Sequence, residues 1–178
     1  MIETLQTPKL DPKALTVRWY ALYTRSRHEK FIDTELTRRR IESFLPVRSI
    51  KKRWSDRTVT VEEPLFKSYL FVKTDPLHFM DVLKTKGAVK LVTAAGLPVA
   101  IDERVIASLK QLISKDIAID PFPYLAVGDR VSVRSGIFKG VEGFIVKKDD
   151  KKCRLVVSIT AILASISVEI DSYLVERI

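Results

Sequence analysis

The hydrophobic period of this chain changes once, and the change divides it in two. Over residues 16–116, runs that alternate like strands are interleaved with runs whose apolar residues recur at helical spacing. Beyond residue 127 only short strand-like runs remain, at 130–134, 141–147, 153–159, 162–170 and 173–177. Gly128, Gly136, Gly140, Gly143 and Asp149-Asp150 punctuate them. Residues 117–126 carry Pro121 and Pro123 and no period, as a linker of moderate stiffness does. The expectation is an α+β N-terminal domain at 16–116, an antiparallel-type sheet flanked by helices, followed at 127–178 by a small all-β barrel. Residues 1–15 read as a polar tail without the apolar core of a signal peptide.

Within the first unit, Val17 to Tyr23 is rich in β-branched and aromatic residues and predicts a strand. A helix is expected over Ser26 to Arg40, with Phe31, Ile32, Glu35, Leu36 and Arg39 along one stripe. Ser26 stands as its N-cap and Glu29, three residues on, as the capping-box partner. Phe44-Leu45-Pro46-Val47 opens an extended segment, and Ile50 to Val61 reads as a basic hairpin carrying Trp54, with its tip at Ser55-Asp56. Tyr69-Leu70-Phe71-Val72 is a buried strand. Asp75-Pro76 opens a short helix through about Thr85 that Gly87 ends. Val89 to Thr93 is a further strand, followed by a turn at Gly96. Asp102 to Ser114 closes the unit as an amphipathic helix with Val105, Ile106, Leu109, Leu112 and Ile113 on one face.

Charge is distributed unevenly. Residues 1–60 hold 14 Lys/Arg against 7 Asp/Glu, whereas residues 116–178 hold 9 of each. An excess at one end suits a polyanionic partner such as nucleic acid; a solubilising surface accounts for it equally well on charge alone. Hydrophobic residues make up 46% of the chain, enough for packed cores and too many for disorder. The longest apolar runs fall far short of the roughly 18 residues of a membrane span. A single cysteine, Cys153, excludes an internal disulfide and a cysteine-based zinc site, so the expected compartment is the cytoplasm.

Three blocks carry a family resemblance. The first is Trp19-Tyr20-Ala21-Leu22-Tyr23-Thr24 with the basic turn and helix after it. The second is Glu63 to Val72, E-P-L-F-K-S-Y-L-F-V. The third runs from Val127-Gly128-Asp129-Arg130-Val131 to Gly136-Ile137-Phe138-Lys139-Gly140-Val141-Glu142-Gly143. In this order and spacing they resemble the N-terminal domain and the SH3-like KOW barrel of NusG-type transcription factors over residues 16–178. The P-L-F-x-x-Y-L-F-V block is similar to that of RfaH. The S-R-H-E-K run and the barrel motif G-x-x-K-G-x-E-G are similar to UpxY-type antiterminators of polysaccharide operons. Lys67-Ser68 departs from the Pro-Gly or Pro-Asn common at that turn.

The resemblance implies a non-enzymatic elongation or antitermination factor that acts as a monomer. It would grip the clamp helices of the largest RNA polymerase subunit through Tyr23, Phe66, Tyr69 and Phe71. Aromatics in a shallow groove suit a helical partner, and Phe66, which precedes the strand, is expected to be the most exposed. Tyr69 and Phe71 alternate with Leu70 and Val72, so one of the two faces is core. Arg25, Arg38 and Arg39 fall where specialised members touch the non-template DNA strand, Thr85 and Lys86 fall at a second such place, and Arg27 with the hairpin residues Lys51, Lys52 and Arg53 adds to the positive field. Cations at a helix C-terminus are also favourable against the helix dipole with no DNA present. In the barrel, Ile137 and Phe138 would anchor a ribosomal protein or a termination factor, unless Phe138 plugs the barrel end. Gly140 and Gly143 lie where the KOW turn needs backbone freedom.

No phosphate-cradling glycine loop occurs, and His28 and His78 stand without metal-ligand spacing. No cofactor is expected. The alternative from another class is a ribosome- or RNA-associated binding module with an SH3-like barrel. Such a module needs no apolar helix-binding groove, and its barrel should be basic, whereas residues 116–178 are charge-neutral.

Overall fold

A computed structural model describes residues 16–114, 119–122, 128–148 and 152–178. The N-terminal tail expected at residues 1–15 lies outside them. The elements follow in order as β1 (Arg18–Thr24), α1 (Glu29–Arg38), β2 (Ser43–Phe44), β3 (Val47–Arg53), β4 (Thr58–Pro64) and β5 (Tyr69–Thr74). Then come a 3-10 turn at Pro76–His78, α2 (Phe79–Leu83), β6 (Ala88–Leu91), β7 (Thr93–Ala94), β8 (Leu97–Pro98), β9 (Ala100–Ile101) and α3 (Glu103–Ile113).

β1 lies at the centre of an antiparallel sheet of order β2-β5-β1-β6, with β9 also paired to β1. Tyr23 faces Tyr69 across the β1–β5 ladder and Leu22 faces Leu91 across β1–β6. Because successive strand side chains point to opposite faces, this ladder builds two cores at once. Tyr20, Leu22, Leu70 and Val72 pack against Ile32, Leu36 and Val82 of α1 and α2. Trp19, Ala21 and Phe71 pack against Ile106, Leu109 and Leu112 of α3. Both faces of β5 are therefore covered.

The local signals read above recur, with corrections at α1, the linker, the strand at 162–170 and Gly143. Asp75 accepts the Leu77 and His78 N–H groups at 2.9 and 3.2 Å, capping the turn that leads into α2. Asp102 caps α3 through the Arg104 N–H at 2.8 Å. β3 and β4 pair from Val47↔Pro64 to Arg53↔Thr58, so the hairpin tip lies at 54–57 as expected. α1 starts two residues later than its capping-box signature indicated. His28 is its N-cap and makes no side-chain cap, and Arg27 has φ 64°. Glu29 is buried and its carboxylate accepts the Ser68 N–H at 2.7 Å instead. A partner 39 residues away outcompetes the local one because the turn at Ser68, φ 64°, leaves that N–H pointing at α1.

The second correction concerns the linker. β10 (Asp120–Phe122) is a strand, paired to β14 with Asp120 opposite Ser167 and Phe122 opposite Ser165. It completes an antiparallel sheet of β10, β11 (Asp129–Val133), β12 (Glu142–Lys148), β13 (Lys152–Ile159), β14 (Ala164–Asp171) and β15 (Val175–Arg177), in the order β10-β14-β13-β12-β11-β15. Pro121 is tolerated because β10 is an edge, where a missing N–H disrupts no second ladder. The expected strand at 162–170 starts later: Thr160–Ile162 form a 3-10 turn and Leu163 takes φ 49°. Gly140 does need positive φ, at 87°. Gly143 does not; a Cβ there would lie 2.5 Å from the Val156 carbonyl oxygen, so close strand approach explains it.

α3 joins the two units. Its Gln111 amide donates to the Ile137 and Lys139 carbonyls at 3.2 and 3.1 Å, and its Ser108 hydroxyl accepts the Glu142 N–H at 3.4 Å. Val131, Val133, Phe138, Leu155 and Val157 continue the core formed beneath α3.

Candidate functional site

The structure brings the four aromatic residues together. Tyr23 and Tyr69, opposite each other on β1 and β5, stand with ring centroids 5.4 Å apart and planes tilted by 55°. Phe66 meets Phe71 edge-on at 6.0 Å, and Phe44 stacks on Phe71 at 6.2 Å, a neighbour that sequence reading missed. Aromatic pairs at these separations attract one another by about 0.5–1.5 kcal/mol beyond their area burial. Their exposure differs. Tyr23 is 37% exposed and Tyr69 half-buried, whereas Phe66 and Phe71 are buried.

The burial of Phe66 corrects the expectation that it would be the most exposed. The residue precedes β5 as predicted, but it packs into the core against Phe71, and an open groove of about 440 Å³ beside it has Pro121, Phe122, Ala164 and Ser165 of the C-terminal sheet as its other wall. Phe66 and Tyr69 line the near side, together with Arg48, Glu63 and Lys67. Residues more than 50 positions away cover this surface, so no local pattern could have shown it.

The basic residues fall into two groups. Arg25 and Arg27 occupy the turn after β1, and the Arg25 N–H donates to the Gly87 carbonyl at 2.9 Å, which places Lys86 beside them. The contact is tight: Gly87 has φ 95°, and a Cβ on it would lie 2.6 Å from the His28 ring. All three cationic side chains are exposed. Arg38 and Arg39 sit at the far end of α1, about 15 Å away along the helix. Arg38 grips Glu35 with two bonds, 2.9 and 3.3 Å, which raises its own pKa and lowers that of Glu35. The Arg39 guanidinium donates to the Asp81 carbonyl. Thr85 is buried, and its hydroxyl has no hydrogen-bond partner among the described residues, so it supports the loop that carries Lys86 rather than a surface of its own.

In the C-terminal sheet Ile137 is 56% exposed and Phe138 is buried, packed into the core there. Cys153 is buried too. Among the described residues no cluster of three or more His, Cys, Asp or Glu could hold a metal, and no helix is long and apolar enough to cross a membrane.

The chain is thus an antiparallel α+β unit with a paired-tyrosine surface at one place and a cationic turn at another, followed by a small β unit. A family model described as "Transcription termination factor nusG" matches residues 17–110, over half the chain. The chain belongs to the NusG family, whose members are transcription factors and not enzymes. Among solved structures it is similar to "Domain interaction in Thermotoga maritima NusG", with 20% identity, a TM-score of 0.51, and coverage of 92% of this chain and 98% of that one. It also matches "Crystal Structure of MjSpt4:Spt5 complex conformation A", with 15% identity, a TM-score of 0.30, and coverage of 90% and 97%.

Proposed function

We propose that this chain is a transcription elongation and antitermination factor that binds the clamp helices of the largest RNA polymerase subunit. The observation that carries the reading is the Tyr23–Tyr69 pair, partly exposed, with Tyr69 packed against the core that holds the buried Phe66 and Phe71. A rigid aromatic ledge of this kind loses little side-chain freedom when an amphipathic helix docks on it. A protein bound across the closed clamp favours the closed state over the open one, and so suppresses pausing and termination without any chemistry. Arg25, Arg27 and Lys86 face the non-template DNA strand, with Arg38 and Arg39 as a second group and Thr85 holding the Lys86 loop. The C-terminal sheet serves as the KOW barrel and offers Ile137 to a ribosomal protein or a termination factor. The S-R-H-E-K run and the barrel motif G-x-x-K-G-x-E-G favour a specialised role at polysaccharide operons.

The test is capture of bacterial RNA polymerase, or of its isolated clamp-helix fragment, by the full chain and by Tyr23→Ala and Tyr69→Ala. Each substitution should weaken capture by about 1 kcal/mol or more, as truncation of a hot spot does. Absence of capture at low and moderate salt overturns the reading.

A further inference from the structure

The β3–β4 hairpin belongs to neither sheet. It is a separate two-stranded ribbon with strands of seven residues, which extends about 20 Å at the usual strand rise. Its base is tied down by the Leu65 N–H to the Pro46 carbonyl at 2.8 Å and by the Lys30–Glu62 ion pair at 3.1 Å. Strand alternation gives it two unlike faces. On one, Ile50 lies opposite Val61 and Val59 opposite Lys52, the apolar three are half-buried, and Lys52 is neutralised by Glu63. On the other, Lys51 and Arg53 lie opposite Thr60 and Thr58, and all four are exposed. Neither Lys51 nor Arg53 forms an ion pair among the described residues.

At the tip Trp54 is 54% exposed, with the Arg57 guanidinium 5.9 Å from its ring centroid. Exposing an indole costs apolar burial, and the Arg57 guanidinium over one face leaves more than half of the side chain in solvent. We propose that this hairpin is a single-stranded nucleic-acid binding arm, in which Trp54 stacks on an unpaired base while Lys51, Arg53 and Arg57 track the phosphates. Every base presents a π-face, so one exposed indole beside cations fits any sequence. Threonines interleaved with the cations add hydroxyl donors to phosphate oxygens. A membrane surface fits less well, because an interfacial anchor needs a wide apolar face and the tip offers one bulky apolar side chain. The arm is distinct from the Arg25, Arg27 and Lys86 group and owes nothing to polymerase docking, so its test is run without polymerase.

The chain contains two tryptophans, and Trp19 is buried. Titrating the full protein with an oligothymidylate about 15 nucleotides long, within the range of single-stranded sites, should quench Trp54 emission. Trp54→Ala should weaken binding roughly 5-fold or more, the low end of what one base stack contributes, while unchanged Trp19 emission reports an intact fold. Lys51→Ala with Arg53→Ala should weaken binding and flatten the salt dependence by about 0.7 in log–log slope for each lost phosphate contact. A Trp54→Ala protein that binds the oligonucleotide as well as the wild type overturns the proposal. So does equal or tighter binding to a blunt duplex of the same length, or binding to phosphatidylserine vesicles in place of the oligonucleotide.

Discussion

The carboxylate of Glu29, in the first turn of α1, accepts the backbone N–H of Ser68, the residue that precedes β5, at 2.7 Å. The bond is part-buried, with Glu29 itself buried, and spans 39 residues, so it ties the helix beside the basic turn to the strand that carries Tyr69 and Phe71. Removing the acceptor strands a desolvated N–H in a turn that Ser68 already holds at φ 64°. Glu29→Ala should therefore lower stability by about 1–3 kcal/mol in urea unfolding. Glu29→Gln, whose amide oxygen still accepts, should lose distinctly less. Equal losses for the two variants would mean that packing, and not the hydrogen bond, is what Glu29 supplies.

Gly140 and Gly143 look alike in sequence and differ in physics. A Cβ on Gly140 meets nothing within 4 Å, but its φ of 87° disfavours any L side chain. A Cβ on Gly143 collides with the Val156 carbonyl oxygen at 2.5 Å and the Leu155 side chain at 3.0 Å. Gly140→Ala should destabilise by about 1–2 kcal/mol, and Gly140→Asn by less, because asparagine tolerates the left-handed region. Gly143→Ala should destabilise by about 1–3 kcal/mol through forced separation of β12 and β13, with Gly143→Asn worse still. Thermal denaturation of the four variants checks the order, and a Gly143→Asn milder than Gly143→Ala would refute the steric account.

These contrasts show where the sequence was legible. The Asp75 cap, the hairpin turn at 54–57 and the apolar face of α3 were readable because each depends on residues within a few positions of one another. The same locality misled at α1, where Ser26 and Glu29 have capping-box spacing and yet Glu29 serves a turn far along the chain. The pairing of Phe122 with Ser165 and the covering of Phe66 are non-local, and nothing near Phe66 in sequence encodes them. For the aromatic set, alternation correctly joined Tyr69 to Phe71 on one face. Which of the two would reach solvent depended on α3 and the C-terminal sheet.

Acid should be the weak side of this protein. Asp75 is held below its ordinary pKa of 3.8 by the His78 side chain and by the Leu77 and His78 N–H groups. Asp102 is lowered by Arg104, Glu103 by Lys73, and Glu63 by Lys52. A carboxylate with a depressed folded pKa contributes stability that is present above the unfolded value and lost as pH falls through the folded one. The melting temperature should therefore hold steady through neutral pH and fall below about pH 4. Asp75→Asn keeps a competent cap and removes one titrating group, so its acid limb should be shallower than that of the wild type while its neutral melting temperature stays close. An acid limb of unchanged steepness in Asp75→Asn combined with Glu103→Gln would show that these pairs do not govern acid unfolding.

The C-terminal sheet and a docking helix compete for the same ground if the aromatic ledge is the polymerase site. Pro121, Phe122, Ala164 and Ser165 form the wall of the groove opposite Phe66 and Tyr69. The sheet is held there in part by Gln111, which donates to the Ile137 and Lys139 carbonyls from α3, and by the Ser108 contact with Glu142. Each such hydrogen bond is worth about 0.5–1.5 kcal/mol, so Gln111→Ala should raise the undocked fraction several-fold. When only the undocked form binds, apparent affinity rises in proportion to that fraction. Gln111→Ala should then bind the clamp-helix fragment several-fold more tightly than the wild type, and the backbone amides of residues 66–72 should exchange hydrogen faster in the free protein. Faster exchange without tighter binding would mean that the sheet leaves its place and yet does not obstruct the partner. Binding would then rest on Tyr23 and the exposed edge of Tyr69, with Phe66 and Phe71 only bracing them.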